Sequence, residues 1–189
     1  MTATTEWVDD HFIAGDLTLD FANTVYRRTP ELGADLLTDV DALATWLDRT
    51  HLLPASDDPD SLFADPEAAL DEARALRGLF WTVFDAHSDG HTIPTDALSS
   101  LLATARRGIN GLTVNPDGSM TPLAAEGVFA ILALRAIGLV LNPPSRGVRA
   151  CDRCGWFFLD SSRGRRRRWC SMKTCGNQAK AERFRAAHP

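Results

Sequence analysis

Residues 151–185, CDRCGWFFLDSSRGRRRRWCSMKTCGNQAKAERFR, contain all four cysteines of this 189-residue chain. Two residues separate Cys151 from Cys154, fifteen residues follow, and four residues separate Cys170 from Cys175. Two close pairs of cysteines at this separation are typical of a tetrahedral zinc site with four thiolate ligands. Because four thiolates leave no coordination position open, the spacing predicts one structural Zn(II) per chain.

The cellular location decides between zinc and disulfides for these cysteines. The chain opens with MTATTEWVDDHF, a polar and acidic stretch without the apolar run of a secretory signal, so we expect a cytoplasmic location. Two disulfides are the alternative use of four cysteines. Paired spacing in a chain that is not secreted favours the metal. At 44% hydrophobic content, the chain can bury a core without covalent cross-links.

Charge is distributed unevenly along the chain. Residues 151–189 hold ten basic and three acidic residues, a net charge of +7, whereas residues 1–150 hold ten basic and 22 acidic residues, a net charge of −12. A cationic segment on an anionic body favours a polyanionic partner, and duplex DNA is the partner we expect. The alternative is that the arginine run is a solvated loop that compensates the −2 charge of a zinc tetrathiolate.

The order of features after Cys151 predicts a treble-clef-like finger. The first cysteine pair and Gly155 have the form of a zinc knuckle, in which the glycine can take a positive φ. Residues 156–159 are predicted as a strand that pairs with residues 166–169 across a turn. A helix is predicted over residues 175–187, with the last zinc ligand at its N-terminus and Ser171 or Thr174 as its cap.

The finger also carries many side chains that suit nucleic acid. Arginine outnumbers lysine in residues 151–189 by eight to two, as expected where phosphate or guanine accepts two parallel hydrogen bonds. Asn177 and Gln178 are able to reach base edges, or instead to cap the helix or bind water. The candidate nucleic-acid-binding residues are Arg163, Arg165, Arg166, Arg167, Arg168, Lys173, Asn177, Gln178, Lys180, Arg183 and Arg185.

The body that precedes the finger is predicted to be mainly helical. Residues 38–51, 65–90 and 96–107 each place apolar side chains at intervals of three and four, the period of one helix face. Thr38 is the predicted N-cap of the first of these helices. Asp65 is the predicted N-cap of the second, because a proline follows it at the first helical position.

Other parts of the body depart from this amphipathic pattern. A short strand and a turn are expected at residues 12–17. Residues 112–114 and 120–122 flank the turn sequence Asn-Pro-Asp-Gly and predict a β-hairpin. Residues 122–141 are apolar on every side, which predicts the most deeply buried helix. Glu126 and Arg135 interrupt that stretch, so we expect no membrane span.

A small polar cluster lies among apolar residues near the start of the body. Asp20, Asn23 and Thr24 are interpreted as capping and turn-forming residues, with a patch that contacts a ligand as the alternative. The five histidines are scattered, and the chain contains neither a glycine-rich phosphate loop nor a nucleophile elbow. The sequence therefore predicts a protein that is not an enzyme.

Two stretches resemble known families. Residues 168–172 read RWCSM, residues 175–177 read CGN, and Lys180 is followed by RFR at residues 183–185. This segment resembles the CGNR zinc-finger family, except that Gln178 stands where the name-giving arginine would be. The resemblance supports the four cysteines as zinc ligands.

The body is similar to the ABATE domain that usually precedes such a finger. The matching features are Gly15, LDFANT at residues 19–24, DLL at residues 35–37, WL at residues 46–47 and ARALR at residues 73–77. The combined resemblance covers nearly the whole chain. It implies a bacterial transcription regulator that is related to stress.

The sequence as a whole predicts an α+β chain. Residues 1–144 form a mainly α-helical domain with a β-hairpin or small sheet, and residues 145–189 form the zinc finger. Our hypothesis is a DNA-binding regulator whose N-terminal domain senses a small-molecule effector or forms a homodimer. The alternative is an adaptor that binds RNA or protein through the finger without base-specific DNA recognition.

Overall fold

The computed structural model describes residues 4–54, 63–145, 147–164 and 166–188 of the chain. It confirms the α+β class, with a helical body, two small antiparallel sheets and a C-terminal cluster of cysteines. The α-helices are α1 Leu17–Ala22, α2 Val40–Arg49, α3 Pro66–Ser88, α4 Thr95–Gly108, α5 Ala125–Leu141 and α6 Asn177–Ala187. The strands are β1 Leu112–Val114, β2 Met120–Pro122, β3 Val148–Ala150 and β4 Phe157–Leu159.

The N-caps of α3 and α2 were both predicted from the sequence, and one of the two predictions is correct. The Asp65 side chain accepts a hydrogen bond from the Ala68 amide and Pro66 occupies the first turn of α3, which confirms that predicted cap. For α2 the prediction was wrong by one residue. Asp39, and not Thr38, accepts the capping bond from the Ala42 amide, because an aspartate also follows the threonine.

The predicted strand at residues 12–17 is absent from the described structure. Asp16 instead caps α1 by accepting a hydrogen bond from the Thr18 amide, so the chain turns into a helix there. Gly15 makes the turn with φ +80°, as its predicted role requires. Leu17, Leu19 and Phe21 alternate with polar residues as in a strand, but they lie in a helix. Thr18 and Asp20 between them are buried as well, so the alternation does not separate a buried face from an exposed face.

The long apolar helix α5 lies at the centre of the body. Its residues from Gly127 to Ala133 are buried on every side, as the sequence predicted. A Cβ atom at Gly127 would lie only 1.8 Å from the carbonyl oxygen of Gly111, so glycine allows the hairpin and α5 to approach closely. Among the described residues no helix is both long and apolar enough to cross a membrane.

The predicted β-hairpin of the body is confirmed. β1 and β2 pair antiparallel, with Thr113 opposite Thr121. The turn between them is fixed by Asn115, whose backbone N–H donates to Ser119, and by Gly118, which has φ +82°. The hairpin packs against α5.

The finger shares the main hydrophobic core of the body. β3 and β4 pair antiparallel, with Arg149 opposite Phe158. Phe157 and Val148 belong to the same buried cluster as the apolar residues of α3 and α5. Phe157 points toward Phe84 of α3, with ring centroids 5.6 Å apart. Residues on both sides of the predicted 144/145 boundary therefore form one continuous core.

The finger's strand pairing differs from the prediction. β4 was expected to pair with residues 166–169, but those residues are not a strand in the described structure, and β4 pairs with β3. The strand β3 follows directly on the Pro-Pro-Ser-Arg-Gly sequence, which is typical of a linker, so β3 was not predicted. The two strands of this sheet flank the zinc knuckle.

Candidate metal centre and basic surface

The four cysteine sulfurs converge on one point. All four Sγ atoms lie within 4.8 Å of one another, and Cys170 Sγ lies 3.6 Å from both Cys154 Sγ and Cys175 Sγ. Zinc–thiolate bonds of about 2.3 Å in a tetrahedron place sulfurs about 3.8 Å apart, so the cluster has the size of a zinc site. All four cysteines are buried. The predicted ligand set therefore fits one structural Zn(II).

The first ligand pair lies in a tight knuckle. The Gly155 amide donates to the Cys151 carbonyl, and the Cys151 amide donates to the Trp156 carbonyl. Gly155 has φ +73°, and a Cβ atom there would lie 2.9 Å from the Cβ atom of Arg28. Both the conformation and the space require glycine at this position.

The second ligand pair leads into the C-terminal helix. Ser171 caps the segment by accepting a hydrogen bond from the Lys173 amide, as predicted, and Met172–Gly176 forms a π-helical turn that runs into α6. Burial, together with the nearby Cys151 sulfur, raises the pKa of the Cys175 thiol in the metal-free protein. Bound zinc would displace this proton, and the start of a helix favours the resulting thiolate.

The body supports the knuckle from outside the finger. The backbone amide of Arg28 donates to the Cys154 carbonyl at 2.6 Å, and the Arg28 guanidinium donates to the Gly155 carbonyl at 2.9 Å. The same guanidinium forms an ion pair with Asp85 at 2.5 Å and lies over the Phe157 ring at 4.0 Å. Arg28 thus fixes the knuckle to α3.

The polar cluster near α1 turns out to hold the body and the finger together. Asn23 Nδ2 donates to the Phe157 carbonyl at 2.9 Å, and the Phe157 amide donates to Asn23 Oδ1 at 2.8 Å. Thr24 Oγ1 donates to the Phe21 carbonyl at 2.8 Å and accepts a hydrogen bond from the buried Arg77. The Thr24 bond to Phe21 is a local turn-forming contact of the expected kind, whereas Asn23 reaches a strand of the finger, which the sequence did not predict.

Asp20, the third member of the cluster, is buried beside the turn into α1. Its carboxylate accepts a hydrogen bond from the Ala14 amide at 2.9 Å. Burial raises the pKa of Asp20 to about 7, although the hydrogen bond from Ala14 acts in the opposite direction. Asp20 is therefore partly protonated at neutral pH.

A buried aspartate organises the arginine-rich loop. Asp160 accepts hydrogen bonds from the Ser162 amide at 3.0 Å and from the Arg167 amide at 3.1 Å. Burial alone would raise the pKa of Asp160, but these bonds and the positive charge of Arg149 lower it below its usual value. Asp160 takes the Arg167 amide and Ser162 Oγ takes the Arg166 amide at 3.3 Å, so these two backbone donors do not pair with β4.

Several of the candidate nucleic-acid-binding side chains have partners within the protein itself. The Arg167 guanidinium donates to the carbonyls of Trp169 and Cys170 and lies 4.6 Å from the Phe158 ring centroid. Arg168 pairs with Asp152 at 2.6 Å and Lys173 pairs with Asp10 at 3.0 Å. Asn177 Nδ2 donates to the Lys173 carbonyl at 3.3 Å.

Gln178 also has a partner within the finger. Its Oε1 atom accepts a hydrogen bond from Arg153 Nε at 2.9 Å, while Arg153 Nη1 binds Glu182 at 2.6 Å, one helical turn further along α6. Gln178 therefore holds Arg153 in place against α6. Base recognition by Gln178 would require this bond to open.

The remaining predicted residues form an exposed basic surface. Among the residues that the structure describes, the basic side chains of the finger that are exposed and make no ion pair are Arg163, Arg166, Lys180, Arg183 and Arg185. Arg165 lies outside the described residues. Sequence reasoning did not single out Arg28, Arg153 or Asp160. Only Asp160 carried a signal, because Asp-Ser-Ser is a common start of a side-chain-stabilised turn.

A buried set of four cysteine ligands, a knuckle and a following helix define this chain as a zinc-finger protein. The chain belongs to the ABATE family, described as "putative stress-induced transcription regulator", whose model matches residues 15–143. Residues 148–188 match the model of the CGNR zinc finger. A comparison with curated proteins found no match.

Proposed function

We propose that this chain is a transcription regulator that binds duplex DNA through its finger. The observation that carries the proposal is the exposure of α6, in which Ala179 is buried and every residue from Lys180 to His188 is exposed. Since Ala179 is the one buried residue of α6, the basic residues of the helix are available to a partner. The description of the ABATE family supports the same role.

The dimensions of α6 suit the major groove. An eleven-residue helix is about 16 Å long, and the major groove of B-DNA is about 12 Å wide and admits one helix. Asn177, Lys180, Phe184 and Arg185 line a shallow depression on the surface of α6. Asparagine suits adenine, and an aromatic ring can contact a thymine methyl group. We assign the base contacts of this face to Phe184 and to Asn177, whose bond to the Lys173 carbonyl would open, and leave the cations of the face to the phosphates.

Phosphate contacts would come from the five exposed cations that make no ion pair. Each neutralised phosphate contributes about −0.9 to the slope of log affinity against log salt, so five contacts predict a slope near −4.5. The −12 charge of residues 1–150 disfavours binding of nucleic acid to the body.

The proposal has three further parts. The protein acts in the bacterial cytoplasm, its body senses a ligand or forms a dimer, and it carries out no catalytic chemistry.

Two double variants with equal charge changes test the proposal. Lys180→Gln with Arg183→Gln removes two charges from α6, and Arg106→Gln with Arg135→Gln removes two exposed charges from the body. Fluorescence anisotropy of the zinc-loaded proteins with a mixed-sequence duplex gives affinity against salt. We expect the finger variant to lower the magnitude of the slope by about 2 and the body variant to leave it unchanged.

Two results would overturn DNA binding through the finger. One is affinity for duplex that does not change with salt, and the other is an equal loss of affinity in the finger and body variants. Competition with a structured RNA separates the adaptor alternative. If the RNA displaces the duplex at concentrations far below those of unlabelled duplex, the finger is an RNA-binding module instead.

A further inference from the structure

A cleft of about 520 Å³ lies between the body and the finger. Its lining comes from the N-terminal segment, from the loop after α1 and from the finger itself, so residues distant in sequence meet there. The volume falls within the range of clefts that hold small molecules, about 300–1,000 Å³. The zinc ligands Cys154, Cys170 and Cys175 form part of the lining, so the cleft extends to the position of the metal.

The cleft offers apolar and aromatic surface to a flat ligand. Trp156, Ile13 and Pro30 contribute to its lining, and Tyr26 adds a ring that is 67% exposed. The Trp156 indole is held in position because its Nε1 atom donates to the Val25 carbonyl at 2.8 Å. A planar ring system would gain contact with a rigid wall and would lose little entropy of the protein.

The polar groups of the cleft that remain available are mainly hydrogen-bond donors. The only ion pair of Arg27 among the described residues is with Glu31, at 3.7 Å, and the Glu31 side chain is 84% exposed. Such a pair is weak. Arg27 Nε is buried and has no partner in the described structure. The Tyr26 hydroxyl and the Gln178 amide nitrogen add further donors.

His11 adds another donor to the lining. Burial and the charge of Arg49 lower the pKa of His11, against the effect of Asp10, so the ring is neutral at pH 7. Its Nδ1 atom accepts a hydrogen bond from the Val8 amide at 3.2 Å. The proton of the neutral ring is therefore on Nε2, which makes the ring a donor to any further partner.

The charged groups nearest the zinc are already paired. Asp10, the carboxylate in the lining, binds Lys173 at 3.0 Å. Arg153 binds Glu182 and Gln178. The hydrogen bond to Glu182, together with the charges of Glu182, Cys175 and Cys151, raises the pKa of Arg153. Arg27 is therefore the arginine of the cleft that is left to bind an anion.

We propose that this cleft binds a small planar carboxylate, with its ring between Trp156 and Tyr26 and its carboxylate on Arg27. The proposal rests on the ligand-sensing part of the proposed function and gives it a place and a ligand class. The bound molecule would lie next to Gln178, which belongs to α6, and next to Arg153, which binds Gln178 and Glu182 of that helix. Occupancy of the cleft would thus be felt by the helix that carries the exposed basic surface.

Isothermal titration of the zinc-loaded full chain with naphthoate tests the proposal in the absence of DNA. Naphthamide and naphthylmethylamine are matched probes that keep the ring and change the charge. Aromatic molecules of this size bind a fitting cleft with Kd values of about 1 mM or below. We expect saturable binding of naphthoate, with at least about tenfold weaker binding of the amide and the amine.

Variants locate the site. Arg27→Gln should weaken naphthoate binding at least about tenfold, while Arg106→Gln, which removes an exposed arginine of α4 outside the cleft, should leave it unchanged. Zinc content and thermal unfolding check that Arg27→Gln is folded. Binding of the amine as tightly as the carboxylate, an absence of saturable binding, or unchanged binding in Arg27→Gln would each overturn the proposal. Since no DNA is present, failure of DNA binding would leave this result standing, and the reverse also holds.

Discussion

Asn23 pairs with the backbone of Phe157 through both ends of its side-chain amide, with hydrogen bonds of 2.9 and 2.8 Å. The two residues are 134 positions apart in the sequence. A side-chain amide that donates and accepts in this way replaces the neighbouring strand that β4 lacks on this side. One buried asparagine of the body therefore supplies two hydrogen bonds to the edge of β4 that faces away from β3.

The substitution Asn23→Ala tests this pairing. It would leave both the amide and the carbonyl of Phe157 buried without partners, which we expect to lower the free energy of unfolding by about 2–4 kcal/mol. Urea denaturation of the zinc-loaded protein measures the change. Asn142→Ala, at an exposed position after α5, is the control and should change stability by less than about 0.5 kcal/mol. Equal effects of the two substitutions would show that the pairing contributes nothing.

Gly155→Ala should disturb the zinc knuckle more than an equivalent change elsewhere. Gly155 and Gly118 both have a positive φ, but a Cβ atom at Gly118 would meet no other atom within 4 Å. Gly118→Ala therefore measures the backbone strain alone, about 1 kcal/mol. Gly155→Ala adds a clash with Arg28 and Thr29, and we expect a loss of about 3 kcal/mol or more.

Zinc affinity gives a second measurement for the same pair of variants. We expect Gly155→Ala to weaken zinc binding, measured by competition with a chromophoric chelator, and Gly118→Ala to leave the affinity unchanged. Comparable losses of stability and affinity in the two variants would mean that Arg28 does not restrict the space at the knuckle.

Removal of zinc should destabilise the body as well as the finger. Four thiols brought close together without metal lose the bonds that hold residues 151–175 in place. Because Phe157 lies in the main core, we expect chelation to increase hydrogen exchange both in β4 and in α1. The midpoint temperature of thermal unfolding should fall by at least about 10 °C. Chelator added to Cys151→Ser, which lacks a ligand, should cause little further change.

The same metal site predicts a pH dependence. The pKa of the Cys175 thiol is raised by burial in the metal-free protein, so protons compete with zinc more strongly as the pH falls. Zinc affinity should decrease steadily from pH 8 to pH 6.

The hydrogen-exchange experiment on zinc removal has its own contrary outcome. If chelation increases hydrogen exchange only in residues 148–188 and not in α1, the finger and the body are independent of each other.

Asp20 predicts a second pH effect, which is opposite to ordinary acid denaturation. Its pKa is about 7 in the folded protein and about 4 in the unfolded chain, so the folded state holds a proton that the unfolded state releases. The stabilisation is complete below pH 4 and is lost as the pH rises through 7. Relative to the parent, Asp20→Asn should gain stability from pH 4 to pH 8 by up to about 4 kcal/mol.

Urea denaturation of both proteins at several pH values, at saturating zinc, measures this difference. Since the amide oxygen of asparagine can still accept the Ala14 hydrogen bond, the variant should remain folded. Stability curves that run parallel from pH 4 to pH 8 would show that Asp20 is ionised in the folded protein at all of these values.

The zinc site was predictable because its information is local. Cysteine spacing alone identified the four ligands, and Gly155 and Ser171 have the roles that their positions predicted. In the body, Asp65 and the turn around Gly118 were equally clear, since caps and turns depend on neighbouring residues.

The strand pairing and the surface of the finger were less predictable, because they depend on contacts between distant residues. The buried Asp160 pairs with Arg149 and binds the Arg167 amide, which takes one of the donors that the expected second strand needed. Gln178 was a candidate DNA contact, with capping or water binding as the alternatives, and its Oε1 atom accepts a hydrogen bond from Arg153, 25 positions earlier. Charge counting located the cationic segment correctly but could not show which of its arginines pair with the protein itself.

The hold of Arg28 on the knuckle has a consequence for engineering. Zinc fingers are often treated as portable cassettes, but here the carbonyls of Cys154 and Gly155 accept hydrogen bonds from a residue more than one hundred positions earlier. A chimera that joined residues 148–188 to a foreign body would lose these bonds along with those of Asn23. A transplanted finger would have to bring the loop at residues 23–30 with it.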